Sequence, residues 1–190
     1  MSERKGFDGI ACYRHFLEGD TKALEELVRA YSDGLIRFAY CYVKDSAVAE
    51  DIMEEAFAAL IVKRRQFSDA DNLRAYLYKT ARHKCLDYLR FHKKRVPLAD
   101  VERVLAADGK EEAETALLRG EQSKTVYEAL QKLPPQYRDI LYLTYFENCD
   151  TDEAARLLRR SKKQIYNLLN RAKTSLKQLL IKEGISYENL

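Results

Sequence analysis

The apolar residues in the first half of this chain recur every three or four positions, and this period most constrains its fold. One continuous face runs through Leu24, Leu27, Val28, Tyr31, Leu35, Phe38, Ala39 and Tyr42. Such spacing is typical of an amphipathic α-helix whose apolar stripe faces a core. The 190 residues include only seven Gly and three Pro. So few breakers favour helices joined by short connections over a sheet-rich fold.

Two further helices are predicted before residue 95. One follows Asp45-Ser46 and directs Ile52, Ala56 and Leu60 inward, while its acidic side chains point elsewhere. The next begins near Asn72 and turns these residues inward: Leu73, Tyr76, Leu77, Thr80, Ala81, Cys85 and Tyr88. With a short leading helix around residues 13–18, they form an N-terminal helical bundle over residues 1–95.

The composition changes after Pro97. Between Val96 and Ser123 there are seven acidic and three basic residues. This pattern predicts an acidic linker over residues 96–112. A helical pattern resumes from about Glu112 and ends at Pro134-Pro135, because proline ends one helix and is tolerated in the first turn of the next. A C-terminal domain is therefore predicted over residues 113–190.

Three helices are predicted after the prolines. They span about 136–146 and 151–158, and the last begins after Ser161. Asp150 is followed three residues later by Glu153, and Ser161 by Gln164, so both later helices begin with a capping-box pattern. A short helix, a tight turn and a longer amphipathic helix form a helix-turn-helix. The expected fold class is all-α, an N-terminal bundle joined by an acidic linker to a helix-turn-helix domain.

Positive charge is concentrated at the end of the chain. From Arg156 to Lys182 there are nine cations and no Asp or Glu, although the whole chain has a formal net charge of only +3. Such a concentration of positive charge in one segment is typical of a protein that binds phosphate groups. A solvated basic helix face, or a helix-turn-helix that is purely structural, is the alternative interpretation.

The exposed face of the last helix combines two kinds of DNA-contacting side chain near its start. These residues are Lys162, Lys163, Gln164, Tyr166, Asn167, Asn170 and Arg171. Lys and Arg neutralise the DNA backbone, whereas Asn and Gln pair with adenine and Arg with guanine in the major groove. The start of a recognition helix is where such residues reach base edges.

Several segments resemble one family. LPPQYRDILYLTYFE (Leu133–Glu147), DEAARLL (Asp152–Leu158) and IYNLLNRAKTSL (Ile165–Leu176) resemble the promoter-binding C-terminal domain of bacterial RNA polymerase sigma factors of the extracytoplasmic-function group. AEDIMEEAF (Ala49–Phe57) is similar to the family's polymerase-docking helix, and NLRAYLYKTARHKCLDYLR (Asn72–Arg90) to its strand-opening helix. The motifs stand in the family's order and spacing across nearly the whole chain.

The resemblance implies a transcription initiation factor that binds core RNA polymerase, directs it to promoters and assists strand opening. It implies that the last helix reads the -35 element, and that Asp51, Glu54 and Glu55 meet the clamp helices of the largest polymerase subunit. The alternative for these acidic residues is a solvated helix face. The family habit also implies an anti-sigma factor as a partner.

A melting surface at the -10 element is a further implication. Its expected residues are Phe67, Arg74, Tyr76, Tyr78, Lys79, Arg82 and His83. Unstacked bases lie on aromatic rings, and cations hold the displaced backbone of the non-template strand. By the resemblance, the loop 67–72 with His83 corresponds to a pocket that receives a flipped base. Core packing is the alternative for the aromatic residues.

The sequence departs from the family pattern at several contact positions. Arg159 and Arg160 occupy the turn where glycine and an apolar residue are usual, and His83 replaces an asparagine. The common lysine, serine and arginine of the recognition helix are here Tyr166, Asn167 and Leu168. The family's base preferences therefore do not transfer to this chain.

Other function classes have little support in the sequence. The longest purely apolar run, residues 56–62, falls far short of the roughly 18 residues that span a bilayer, so membrane insertion is not expected. The four cysteines are scattered and form no C-x-x-C pair, which favours a reduced cytoplasmic protein. No phosphate loop, cofactor motif, metal-ligand cluster or activated nucleophile is visible, which disfavours an enzyme. The remaining alternative is a stand-alone helix-turn-helix regulator that acts without polymerase.

Overall fold

The computed structural model describes the backbone of residues 7–95 and 128–182 and the side chains of residues 7–91 and 128–182. All regular secondary structure in these two ranges is α-helical, which confirms the predicted fold class. Residues 7–95 and 128–182 belong to two separate compact units. The acidic linker predicted over 96–112 and the domain start at 113 lie outside the described residues. None of the described helices is long and apolar enough to cross a membrane.

The N-terminal unit is a bundle of four helices. They are α1 (Gly9–Leu17), α2 (Thr21–Val43), α3 (Ser46–Lys63) and α4 (Ala70–Arg95). The carboxylates of Asp8, Asp20 and Asp45 accept hydrogen bonds from backbone N–H groups in the first turns of α1, α2 and α3. Each such cap stabilises a helix start by about 1 kcal/mol.

Helix α2 packs against the other three helices of this unit, and α3 also packs against α4. The predicted apolar rows form the core, where these residues are buried: Leu27, Leu35, Phe38, Ile52, Ala56, Leu60, Leu73, Leu77, Ala81 and Cys85. Full burial of one such large side chain contributes about 1.5–3 kcal/mol. The core therefore fixes which sides of α3 and α4 remain in contact with solvent.

The C-terminal unit consists of helical residues 128–132 and three longer helices. These are α5 (Pro135–Tyr145), α6 (Thr151–Leu158) and α7 (Lys162–Lys182). Pro135 is the first residue of α5, as the sequence predicts. The core cluster of this unit contains Leu130, Leu133, Ile140, Leu141, Ala154, Ile165, Leu168 and Ala172. Helix α7 packs against both α5 and α6 and so supplies one wall of this core.

Arg138 joins α5 to the helical residues before it. Its Nε donates to the carbonyl of Leu130 at 3.1 Å, and its Nη2 donates to those of Gln131 and Leu133 at 2.8 and 3.2 Å. The guanidinium thus donates to carbonyl groups at the end of a helix, where the regular intrahelical donors run out. Burial raises the pKa of neighbouring Asp139 well above its ordinary value of 3.8, and the charge of Arg160 opposes that shift.

Both predicted capping boxes are present in the C-terminal unit. The Asp150 carboxylate accepts from the N–H of Glu153 at 2.8 Å, and the Glu153 carboxylate accepts from the N–H of Asp150 at 2.8 Å. At the start of α7, Ser161 N–H donates to Gln164 Oε1 at 2.9 Å, and Gln164 N–H donates to Ser161 Oγ at 3.3 Å. These local bonds fix where α6 and α7 begin.

The turn between α6 and α7 has a strained backbone at Arg159. This residue ends α6 in the left-handed conformation, with φ 51° and ψ 50°. The left-handed helical region costs an ordinary L-residue roughly 1–2 kcal/mol, whereas glycine adopts it freely. The arginine that replaces the family's usual glycine therefore carries a conformational penalty.

Substituting Arg159→Gly is expected to stabilise the C-terminal unit by about 0.5–1 kcal/mol, because relief of strain exceeds the entropy that glycine loses. The matched control is Arg156→Gly inside α6, which should destabilise the unit by about 1 kcal/mol. Both changes in the free energy of unfolding are measured from the urea dependence of amide hydrogen exchange in α6 and α7 of the full chain. If Arg159→Gly destabilises as much as Arg156→Gly, the left-handed turn is wrong.

Candidate nucleic-acid and polymerase interfaces

Helix α7 separates a core stripe from an exposed contact face. Ile165, Leu168, Ala172 and Leu180 are buried. The seven residues predicted to contact the -35 element are all exposed: Lys162, Lys163, Gln164, Tyr166, Asn167, Asn170 and Arg171. Tyr166 is 65% exposed, which is unusual for so large an aromatic side chain. The first three turns of α7 thus present cations, amides and one aromatic ring on a rigid helix.

Two of these seven side chains already have partners within the unit. Lys162 Nζ lies 2.7 Å from Asp152 Oδ1 in α6. Gln164 uses its Oε1 in the cap of α7. A bidentate pair with adenine needs both the oxygen and the nitrogen of an amide, so Gln164 has to give up its cap to read a base in that way. The side chains of Asn167 and Asn170 make no cap of this kind in the described residues and are the better candidate readers.

The turn before α7 enlarges the positive surface. Arg159 and Arg160 are both exposed. Arg160 Nη2 approaches Gln136 Oε1 of α5 at 3.4 Å. The two arginines lie next to the N-terminus of α7, where backbone N–H groups and the helix dipole also favour anions. This part of the unit therefore suits phosphate groups.

The acidic face of α3 points away from the bundle core. Asp51, Glu54 and Glu55 are exposed, whereas Ile52, Ala56 and Leu60 of the same helix are buried. Glu55 Oε2 lies 2.9 Å from Lys84 Nζ of α4. Both partners of this ion pair are substantially exposed, so it adds little to stability. Asp51 and Glu54 remain as the charges best placed to meet a basic partner.

The residues predicted for the melting surface differ in their exposure. His83 is exposed, and Phe67, Tyr76, Lys79 and Arg82 are half-buried. Partial burial lowers the pKa of Arg82 from its ordinary value. These five residues lie on α4 or on the loop that precedes it.

Arg74 and Tyr78 are buried in the bundle, unlike the other five residues predicted for the melting surface. Tyr78 is only 2% exposed, and its ring packs edge-on against Phe38 of α2 with the centroids 5.3 Å apart. Arg74 is 8% exposed, with its guanidinium carbon 5.8 Å from the centre of the Tyr78 ring. Because α4 packs against α1, α2 and α3, its buried stripe is wide enough to include both positions.

An aromatic cluster anchors the loop between α3 and α4. The Phe67 ring contacts those of Tyr13 and Tyr76, with centroid separations of 5.5 and 5.4 Å. Tyr76 also donates from its hydroxyl to the carbonyl of Ala59 at 3.3 Å. Sequence analysis missed Tyr13 as a neighbour of this loop. The available signal was an aromatic residue on the inner face of a short leading helix.

The cysteine and metal chemistry of the described residues is limited. Their four cysteines are free thiols, and burial raises the pKa of Cys12. Within residues 7–91 and 128–182, no three His, Cys, Asp or Glu side chains are grouped as metal ligands. The interfaces described above therefore consist of charges, amides and aromatic rings.

Two family models match the chain, one on each structural unit. Sigma-70 region 2 matches residues 27–95, and Sigma-70, region 4, matches residues 123–176. Region 2 covers α3 and α4 and most of α2, whereas region 4 covers α5, α6 and the first two thirds of α7. Together they cover well over half of the sequence.

Curated relatives agree with these matches. The chain is 26% identical to the ECF RNA polymerase sigma factor SigM of Bacillus subtilis, over 82% of this chain and 94% of SigM. It is 27% identical to the RNA polymerase sigma factor SigV of the same organism, over 87% of this chain and 96% of SigV. Both relatives are therefore matched over nearly their whole length.

Solved structures share the fold. CnrH, in complex with the cytosolic domain of CnrY, has a TM-score of 0.66 and 22% identity, over 92% of this chain and 97% of CnrH. RpoE of Bartonella quintana, in complex with the anti-sigma factor NepR, has a TM-score of 0.62 and 18% identity, over 84% of this chain and 98% of RpoE. The predicted resemblance is thus confirmed: the chain belongs to the extracytoplasmic-function group of sigma-70 factors, which are transcription initiation factors for RNA polymerase.

Proposed function

We propose that three exposed surfaces of this chain divide the work of promoter recognition. Helix α7 reads the -35 element, α3 binds core polymerase, and α4 with its preceding loop holds the unpaired -10 strand. The single observation that best supports this division is the exposure of all seven contact residues on α7, on the opposite side from the apolar stripe that is buried in the core. The chain itself catalyses no reaction, and it acts in the cytoplasm, where polymerase and chromosomal DNA are present.

The proposal for α7 rests on residue type as well as exposure. Lys163 and Arg171 supply positive charge that suits phosphate, and Asn167 and Asn170 supply amides that suit adenine edges. Asn167 and Asn170 are three residues apart, so they share one helix face and reach neighbouring base pairs. Arg159 and Arg160 extend the positive surface toward the backbone on one side of this face.

The proposal for α3 rests on charge on one side of a rigid helix. Asp51 and Glu54 are three residues apart and exposed, and the opposite side of α3 is locked in the core. A basic partner surface would gain from both charges without any change in the bundle.

The proposal for the -10 strand rests on the five partly or fully accessible residues of α4 and its loop. Phe67 and Tyr76 offer ring faces, Lys79 and Arg82 offer positive charge, and exposed His83 offers ring nitrogens that bond to a base edge. An imidazole can form fewer hydrogen bonds at one time than the asparagine side chain that is usual in the family. The base preferred at this position therefore does not transfer from the family.

We also propose that an anti-sigma factor binds this chain. The structures of CnrH and RpoE that share its fold are complexes, with the cytosolic domain of CnrY and with the anti-sigma factor NepR. Such a partner restrains a sigma factor by covering surfaces that polymerase needs.

A stand-alone helix-turn-helix regulator is the less favoured function. It would need only the C-terminal unit, whereas the Sigma-70 region 2 match covers residues 27–95. A pull-down with core RNA polymerase, followed by run-off transcription, separates the two functions. The full chain should be retained by core polymerase and should start promoter-specific transcripts, whereas a stand-alone regulator would bind duplex DNA without polymerase.

Reversing the charges of Asp51 and Glu54 to Lys should weaken binding to core polymerase at least tenfold, because like charges at an interface can cost several kcal/mol. The control reverses Glu18 and Glu25, two exposed residues elsewhere in the unit, and gives the same change in net charge. Affinity is measured by titration of labelled protein with core polymerase. Native circular dichroism with unchanged affinity would show that α3 is not the docking helix.

The variants His83→Ala and Phe67→Ala should impair promoter opening more than initial capture. A stacking contact with an unpaired base is worth roughly 1–3 kcal/mol and exists only after the strands separate. Permanganate footprinting should show fewer reactive thymines at equal closed-complex occupancy, with exposed His15→Ala on α1 as the control. Equal loss of capture and opening would instead mean that these residues maintain the fold.

The contacts of α7 should divide by residue type. Lys163→Ala should weaken binding at all promoters and lower the salt dependence by about one counterion. Asn167→Ala or Asn170→Ala should cost roughly 1–3 kcal/mol at one or two positions of the -35 element. Transcription from a randomised -35 library measures both effects, with Lys177→Ala, farther along α7, as the control. A position-specific effect of Lys163→Ala with flat responses from both Asn variants would reverse these assignments.

A further inference from the structure

Tyr13 has a buried hydroxyl without a hydrogen-bond partner. The residue is 0% exposed, and its hydroxyl oxygen makes no hydrogen bond in the described structure. Its ring packs against Phe16 and Phe67, with centroid separations of 6.0 and 5.5 Å. A buried polar group without a partner costs free energy, and phenylalanine would fill the same space without that cost. The hydroxyl therefore calls for a role that the free bundle does not supply.

Tyr13 belongs to a cluster of aromatic rings that has cations beside it. Phe67 contacts both the Tyr13 and the Tyr76 ring, and of the three residues it alone belongs to a non-helical segment. Cations flank the group: the Arg64 guanidinium lies 5.6 Å from the centre of the Phe16 ring, and that of Arg65 lies 5.8 Å from the centre of the Tyr76 ring. Rings with adjacent cations are the two elements that single-stranded nucleic acid needs.

Helix α1 is tied to this loop by a direct contact. Arg64 Nη2 donates to the carbonyl of Leu17, the last residue of α1, at 2.8 Å. Burial, reinforced by nearby Tyr76, raises the pKa of the Tyr13 hydroxyl above its ordinary value. The group thus stays protonated near neutral pH, where it both donates and accepts a hydrogen bond.

We propose that Tyr13 is a third wall of the pocket for the unpaired base, and that its hydroxyl bonds to the edge of that base. The base enters between the Tyr13 and Tyr76 rings as the Phe67 ring moves outward on its loop and covers it. The base then supplies the partner that the hydroxyl lacks in the free protein. This inference rests on the proposed role of α4 and its loop in holding the -10 strand, and it adds α1 to that site.

The test is Tyr13→Phe in the full chain assembled with core polymerase. Affinity is measured for fork-junction DNA that carries the non-template -10 strand unpaired, and for a series of the same probes with one base at a time removed. Loss of one hydrogen bond should weaken binding of the intact probe roughly 3- to 10-fold. On the probe that lacks the contacted base, wild type and variant should bind equally.

Two further measurements make the result decisive. The free Tyr13→Phe protein should have a Tm equal to or above that of the wild type, because a hydroxyl without a partner is removed. A lower Tm would show that the hydroxyl is already satisfied in the free protein and would overturn the inference. Tyr31→Phe on α2, the same chemical change outside the cluster, serves as the control and should leave DNA affinity unchanged.

The remaining outcomes separate this inference from the proposed function. If Tyr13→Phe binds every probe as the wild type does while Phe67→Ala and His83→Ala bind more weakly, Tyr13 is not part of the pocket and the role of α4 stands. If all three variants bind as the wild type does, the inference and the proposed role of α4 fail together.

Discussion

The structure depends on the burial of one side of each functional helix. Helix α4 packs its apolar stripe against α2 and α3, and α7 packs its stripe against α5 and α6. An amphipathic helix that is fixed in this way has no freedom to rotate, so the side chains on its other face hold fixed directions. The contact residues of a transcription factor need this rigidity, because base readout tolerates little displacement. The core therefore positions the functional surfaces.

The chain also retains features that reduce its stability near those surfaces. Arg159 occupies a left-handed turn that suits glycine, and Tyr13 buries a hydroxyl that has no partner. Both features lie beside a proposed nucleic-acid contact, one at the start of α7 and one in the aromatic cluster with Phe67. Local strain of this kind persists where the surrounding packing compensates for it, and it concentrates at functional sites. The arginine at position 159 and the hydroxyl of Tyr13 are consistent with such a concentration of strain at functional sites.

Much of the fold could be predicted from the sequence because its signals are local. Helix starts are set by the capping boxes at Asp150 and Ser161 and by the proline pair at the start of α5. The buried rows are set by apolar residues that recur every three or four positions. Contacts between segments that are distant in the sequence were harder to predict. The spacing alone does not reveal that α4 packs against three helices, which buries Arg74 and Tyr78. Likewise, Gln164 fits two roles by sequence, and only its geometry shows that the cap of α7 already uses its oxygen.

The central claim is that the two units present separate surfaces to separate promoter elements, and site-specific photo-crosslinking tests it most directly. A photoreactive amino acid is placed at His83 in one holoenzyme and at Tyr166 in another, and each is bound to the same promoter. Position 83 should crosslink the non-template strand of the -10 element in open complexes only. Position 166 should crosslink duplex DNA of the -35 element in closed and open complexes alike. Crosslinks from both positions to one element, or from position 83 to duplex DNA before opening, would contradict it.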